Sequence, residues 1–155
     1  MTQLTKVDRA ILQALQRDAR QSYEVIGATV GRDASVVSRR IAALIKAGVI
    51  TGMAVNVDPL KAGLTTTVYM LVMLDDHGDE AFAKFEAELN AMPNVVEWAR
   101  MQGVNDYVMK IQAQDKEHHI RLHAHLRGLP MVRRVRTLEL LGQPHTKLTP
   151  LADSD

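Results

Sequence analysis

Ser35, Ser38, Arg39, Arg40 and Lys46 bring two hydroxyls, two guanidiniums and an ammonium into one stretch, GRDASVVSRRIAALIKAGVI, from Gly31 to Ile50. Groups of this kind suit nucleic-acid recognition. Short hydroxyl side chains let a backbone approach base edges, and long cations reach bases or phosphates. At about 100° per residue, Ser35, Arg39, Ala42 and Lys46 share one stripe of a helix with Ser38 beside it. Val37, Ile41, Leu44 and Ile45 recur at spacings of three and four and mark the buried face. Arg40 falls between the two stripes, where it braces the fold or holds a phosphate. Asp33 is placed to cap the helix through its carboxylate, and Gly48 stands where a left-handed residue ends it. The same stretch also reads as an ordinary amphipathic helix of a three-helix bundle with solvated arginines. Charge distribution favours the DNA reading: up to Asp58 there are 8 Lys+Arg against 5 Asp+Glu, net +3, and beyond it 11 against 13, net −2, although the whole chain carries only +1.

Other constellations are weaker. His118, His119, His123 and His125 crowd one helix, and His119 with His123 at i, i+4 has chelating spacing. No Glu follows the metalloprotease spacing and no cysteine helps, so the pair reads as packing or surface and no metal site is expected. Asp75, Asp76, Asp79 and Glu80 read as a solvated loop leading into a helix N-terminus, favoured there by the macrodipole. With no nucleophile-base-orienter set and no phosphate-cradling glycine loop, no catalytic residue and no cofactor are expected, and the chain is not read as an enzyme. Zero cysteines excludes disulfides and thiolate chemistry.

The elements that must position these residues follow from periodicity. Thr5 to Asp18 carries Val7, Ile11, Leu12 and Leu15 on one side behind a Thr5–Asp8 capping box. Ser22 can cap a second helix through Val30, with Val25, Ile26 and Val30 apolar, and Gly31 supplies the turn before the polar-faced helix. That order is the helix-turn-helix pattern. Val49 to Val57 reads as a short wing strand ending at Asp58-Pro59. From Leu64 onward the pattern becomes strand (65–74), helix (79–92), two strands (95–101 and 106–112) flanking Gly103, helix (115–129) and strand (132–141). Thr65 to Leu74 is apolar enough to be covered on both faces. The expected fold is therefore α+β: a winged helix-turn-helix domain over 1–52, a linker with the wing strand over 53–64, a ferredoxin-like βαββαβ domain over 65–145, and a polar C-terminal tail over 146–155 that frays from about Leu148. The helices of that second domain cover one sheet face. The other, expected to show Tyr69, Leu71, Met73, Val96 and Trp98, is too apolar to stay wet and is assigned to a second subunit. The 46% hydrophobic content is ample for a packed core, no stretch approaches 18 apolar residues, and MTQLTKVDR lacks the apolar centre of a signal peptide, so no membrane role is expected and a cytoplasmic location is.

VDRAILQALQRDAR at Val7 to Arg20, RRIAALIKAGVITG at Arg39 to Gly52, GVNDYVMKI at Gly103 to Ile111, the Leu129-Pro130-x-Val132 step and Thr137 together make the chain resemble the Lrp/AsnC family over nearly its whole length. The resemblance implies a regulator that binds double-stranded DNA as a homodimer, assembles further, often to octamers, and senses an amino acid between dimers. It implies effector contacts from Gly103, Val104, Asn105 and Asp106, with Asp106 facing an ammonium, and from Arg127 facing a carboxylate. Read without it, Gly103 to Asp106 is a plain β-hairpin turn. Arg32 and Asp33 depart from the family pattern, which has an apolar residue and Ser there, and this puts the usual Ser–phosphate contact in doubt. The alternative function is an architectural protein that wraps DNA without an effector; only the regulator needs a specific pocket.

Overall fold

The computed structural model describes residues 3–142, 144, 145 and 147–151. Two compact units emerge: one from the residues up to Asn56 together with those from His145 onward, the other Val57–Pro144.

The first unit is three helices. α1 (Lys6–Arg17) opens with the expected capping box, the Asp8 N–H donating to Thr5 Oγ1 and the Thr5 N–H to Asp8 Oδ2. α2 (Tyr23–Val30) is capped by Ser22 and ends at Gly31, whose φ of 64° is the left-handed value that favours glycine. α3 (Ala34–Lys46) follows. Its N-cap is Asp33, but the carboxylate makes no capping bond; Asp33's carbonyl instead accepts the Val36 and Val37 N–H groups, at 3.0 and 3.1 Å. Gly48, at φ 70°, turns the chain so that the Val49 and Ile50 N–H groups return to the Leu44 carbonyl. Ile11, Ala14, Ile26, Val37 and Ile41 form the core. Val25 and Ile45, expected inside, are 54% and 51% exposed. A two-turn helix such as α2 has room for few inward positions, and Ile26 and Gly27 occupy them.

Two expectations for this unit are corrected. Residues 51–58 form no strand, since a wing strand needs a ladder partner and none of the described residues pairs with it. Part of the polar tail is not frayed: Gln16 Nε2 donates to the Thr149 carbonyl at 3.0 Å, and Thr149 and Leu151 line an open groove with Leu12 and Leu15 of α1. Tail positions 146 and 152–155 lie outside the described residues.

The second unit has the expected βαββαβ order: β1 (Thr66–Leu74), α4 (Asp79–Ala91), β2 (Val95–Arg100), β3 (Tyr107–Ala113), α5 (Lys116–Arg127) and β4 (Val132–Glu139). The sheet is antiparallel in the order β2-β3-β1-β4. Val68, Met70, Val72 and Leu74 of β1 and Tyr107, Met109 and Ile111 of β3 pack against Phe82, Phe85 and Leu89 of α4 and Leu126 of α5. Burial along β1 alternates, so only one of its faces is covered within the chain; the double cover expected from its apolar run is absent. Among the described residues no helix is long and apolar enough to cross a membrane.

Candidate nucleic-acid interface and effector loop

The polar stripe of α3 forms as its spacing requires. Ser35, Arg39, Ala42 and Lys46 are exposed on α3, Ser38 is half-buried beside them, and Val37, Ile41 and Leu44 are buried on the opposite side. Nothing within the described residues holds the Arg39 guanidinium or the Lys46 ammonium in an ion pair. The α2–α3 turn that presents the helix is tight. The Arg32 N–H donates to the Gly27 carbonyl at 3.0 Å, and a Cβ on Gly27 would lie 2.4 Å from the Arg32 carbonyl oxygen. Gly27 was not singled out by sequence; its signal was a glycine inside a short helix, where propensity argues against it.

Arg40 separates from the other basic residues. Its Nε donates to Asp8 Oδ1 at 2.7 Å, and its Nη2 donates to Thr5 Oγ1 at 2.9 Å and also to Asp8 Oδ2. Asp8 is the buried charged residue of the described chain, 4% exposed. Burial alone would raise its pKa, but the hydrogen bonds from Arg40 and Thr5 outweigh that and hold the carboxyl below the ordinary range. The guanidinium therefore clamps α3 to the start of α1, the bracing role that its place between the two stripes left open.

Around Gly103 the chain makes a hairpin closed by the Met101 N–H on the Asp106 carbonyl at 2.7 Å. Gly103 has φ 142°, a value side chains rarely adopt, and no neighbour lies within 4 Å of where a Cβ would be. The loop is therefore open as well as glycine-dependent. Val104 is 77% exposed and Asn105 half-buried. Asp106 is not a free ammonium partner. Its Oδ2 accepts the Leu74 N–H at 2.7 Å and its Oδ1 lies 3.1 Å from His77 Nε2, so the carboxylate pins the end of β1 and the following loop to the hairpin. His77 went unnoticed in the sequence because its partner lies 29 residues away. Arg127 is exposed at the end of α5. Topology brings it to the same end of the sheet as the hairpin, but the strands that flank the two sites, β3 and β4, are separated by β1, about 10 Å across. Among the described residues no hydrogen bond or ion pair joins Arg127 to the loop.

On the open sheet face, cross-strand pairing puts Tyr69, Leu71 and Met73 of β1 beside Lys110 and Val108 of β3 and Leu138, Arg136 and Arg134 of β4. Trp98 is not on it. It pairs with buried Met109, packs into the core with its ring 6.1 Å from that of Tyr107, and donates from Nε1 to Asn90. The register shift between Val95 and Glu97 explains the misplacement, because one extra residue turns the rest of a strand to the other side. Val96, at that shift, is 48% exposed. Of the histidines, His119 lies 3.4 Å from Thr137 Oγ1, and burial, then the neighbouring His123, holds its pKa below the usual value. His125 lies 3.9 Å from Glu88.

Comparison with known proteins accounts for both units. Residues 4–45 match the AsnC-type helix-turn-helix domain and residues 67–147 the Lrp/AsnC ligand binding domain. The DNA-binding transcriptional activator DecR of Escherichia coli (strain K12) is 31% identical over 112 residues, which cover 72% of this chain and 74% of that protein. The structure of an AsnC family transcriptional regulator from Agrobacterium tumefaciens superimposes with a TM-score of 0.87 at 26% identity, covering 95% of this chain and 97% of that one. A transcriptional regulator from Neisseria meningitidis, solved as its L-Met complex, shares the fold with a TM-score of 0.87 at 23% identity over 96% and 97% of the two chains. The chain belongs to the Lrp/AsnC family of transcriptional regulators, an AsnC-type helix-turn-helix followed by the family's ligand-binding domain.

Proposed function

We propose that this DNA-binding regulator reads double-stranded DNA through Ser35, Ser38, Arg39 and Lys46 of α3, acts in the cytoplasm rather than as an enzyme, and responds to an amino acid at the Gly103 hairpin. The observation that carries the DNA reading is the exposed, unpaired Arg39–Lys46 stripe on a helix held by a Gly27–Gly31 turn. A helix of diameter about 10–12 Å carrying such a stripe fits a major groove about 12 Å wide. Asp33, with no capping bond, leaves a carboxylate near the helix start, where it opposes phosphate and restricts how the helix enters the groove.

The amino-acid reading is supported by the family's ligand-binding domain and by the L-Met complex of the Neisseria relative. In this chain the recognising groups are the backbone of Gly103, Val104 and Asn105, with Arg127 reached from a neighbouring subunit, while Asp106 shapes the loop. The minimum unit is a homodimer through the open sheet face, where Tyr69, Leu71 and Met73 gain a cover that the chain itself does not supply. Dimers then meet at the hairpins in higher assemblies, up to an octamer. One helix-turn-helix has a small footprint, and two on a symmetric dimer gain affinity by reading two half-sites.

The test is a mobility shift of wild type and Arg39→Ala on operator and on random DNA. A base contact predicts a loss of about 1–3 kcal/mol on the operator alone. A phosphate contact predicts equal losses on both DNAs and a salt slope flatter by about one. Unchanged affinity for both removes this stripe from the interface.

A further inference from the structure

At the end of the sheet opposite the Gly103 hairpin, a groove of about 300 Å³ opens between α5 and the β1–β4 edge, lined by Thr66, Lys116, His119 and Glu139 among others. That volume is at the lower end of the range that small-molecule sites occupy. Lys116, in the first turn of α5, and Glu139, the last residue of β4, both line the groove. Yet among the described residues neither makes an ion pair, with the other or with any third group. A cation and an anion that face one cavity without closing on each other leave room for a molecule carrying both opposite charges.

The neighbouring groups are already spoken for. Thr65 Oγ1 donates to the Gln114 carbonyl, Asp115 Oδ1 accepts the His118 N–H as the helix cap, and His119 Nε2 lies against Thr137. His119 is held toward its neutral form by burial, so it does not compete with an ammonium for Glu139. The Thr66 hydroxyl, for which no hydrogen bond is formed among the described residues, is left to orient a ligand.

Position gives the groove a consequence. Val68 of β1 pairs with Glu139 of β4, so the chain enters and leaves this unit on neighbouring strands at this end. An adjoining cavity is lined by Leu60 and Thr65 of the entering segment and Leu140, Leu141 and Gly142 of the leaving one. These two segments are the covalent connections to the helix-turn-helix unit, one at each end of the inserted residues 57–144. A ligand here contacts the roots of both.

We infer that the groove between α5 and the β1–β4 edge is a second small-molecule site, separate from the hairpin, for a zwitterion of the α-amino-acid class, its carboxylate on Lys116 and its ammonium on Glu139. The inference rests on reading the chain as amino-acid-responsive, but not on where that reading places the effector. Ligand preference for one setting of the two connecting segments shifts the DNA-binding unit by that difference in affinity.

Calorimetry with L-methionine, then each of the other common amino acids, separates the two sites on the full chain. Wild type, Gly103→Leu, Lys116→Met and Glu139→Gln are compared, with circular dichroism to show each is folded; the last two are exposed, near-isosteric changes. The expected result is two sites per chain in wild type: Gly103→Leu removes one and leaves the other, and Lys116→Met and Glu139→Gln each weaken that other one at least tenfold. Binding abolished by Gly103→Leu and untouched by the groove variants overturns this site and leaves the hairpin reading standing. Binding lost only in the groove variants removes the hairpin instead. If no amino acid binds wild type, both fall.

Discussion

Replacing Arg40 should damage the helix-turn-helix unit without touching its DNA face. In the wild type Asp8 is buried and takes hydrogen bonds from the Thr5 N–H at 2.9 Å, the Thr5 hydroxyl at 2.6 Å and Arg40 Nε at 2.7 Å, besides Arg40 Nη2. Arg40→Ala leaves that carboxylate with Thr5 alone. Breaking a fully buried pair costs about 3–5 kcal/mol, but the Arg40 side chain is 39% exposed and water can replace part of it. A loss of about 1.5–3 kcal/mol is therefore expected, the range for a hydrogen bond to a charged group. Asp8→Asn should cost a similar amount, and the double variant should cost less than the two losses added, because they remove the same interaction. The pH dependence has a definite sign. The folded-state pKa of Asp8 is depressed, so its contribution is fully present above the unfolded value of about 3.9 and is lost as pH falls through the lower folded value. Wild type should thus lose stability below about pH 4 more steeply than Asp8→Asn. Thermal unfolding by circular dichroism across pH 2 to 7, with amide exchange in α1 and α3 to localise the effect, measures both. DNA affinity measured well below the melting temperature should stay within about threefold for Arg40→Ala, against about 5- to 150-fold for Arg39→Ala if it reads a base. An Arg40→Ala protein of unchanged stability that no longer binds DNA would refute the clamp and return Arg40 to the interface.

Gly27→Ala places a methyl 2.4 Å from the Arg32 carbonyl and should cost about 1–3 kcal/mol by forcing the α2–α3 turn apart; a melting temperature equal to wild type would show that the turn has slack. Asp106→Ala orphans the Leu74 N–H and should destabilise the second unit by about 1–3 kcal/mol, with faster exchange of that amide. If stability is instead unchanged while amino-acid binding disappears, the carboxylate is a ligand contact after all. Leu71→Arg puts a charge at the middle of the open sheet face and should convert the proposed dimer to monomer by light scattering at micromolar concentration; an unchanged mass would place the seam elsewhere.

Local physics was enough for much of this protein. The Thr5–Asp8 capping box, the Gly31 and Gly48 turns, the buried Val37–Ile41–Leu44 stripe and the βαββαβ order all follow from interactions within a few residues, where spacing alone decides which side chains meet. Phe82, Phe85 and Leu89 point inward for the same reason. Partners far apart in sequence were decided only by tertiary structure. Arg40 and Asp8 lie 32 residues apart, as do Asp106 and Leu74, and no periodicity shows that these polar groups meet. The wing strand failed because alternation marks a segment able to pair but does not supply the partner edge. Trp98 went to the core because a one-residue register shift, set by how β2 meets β3, reverses which face a side chain takes. The return of Thr149 and Leu151 to α1 is likewise a contact across the whole length of the chain, visible only once the ends have been brought together.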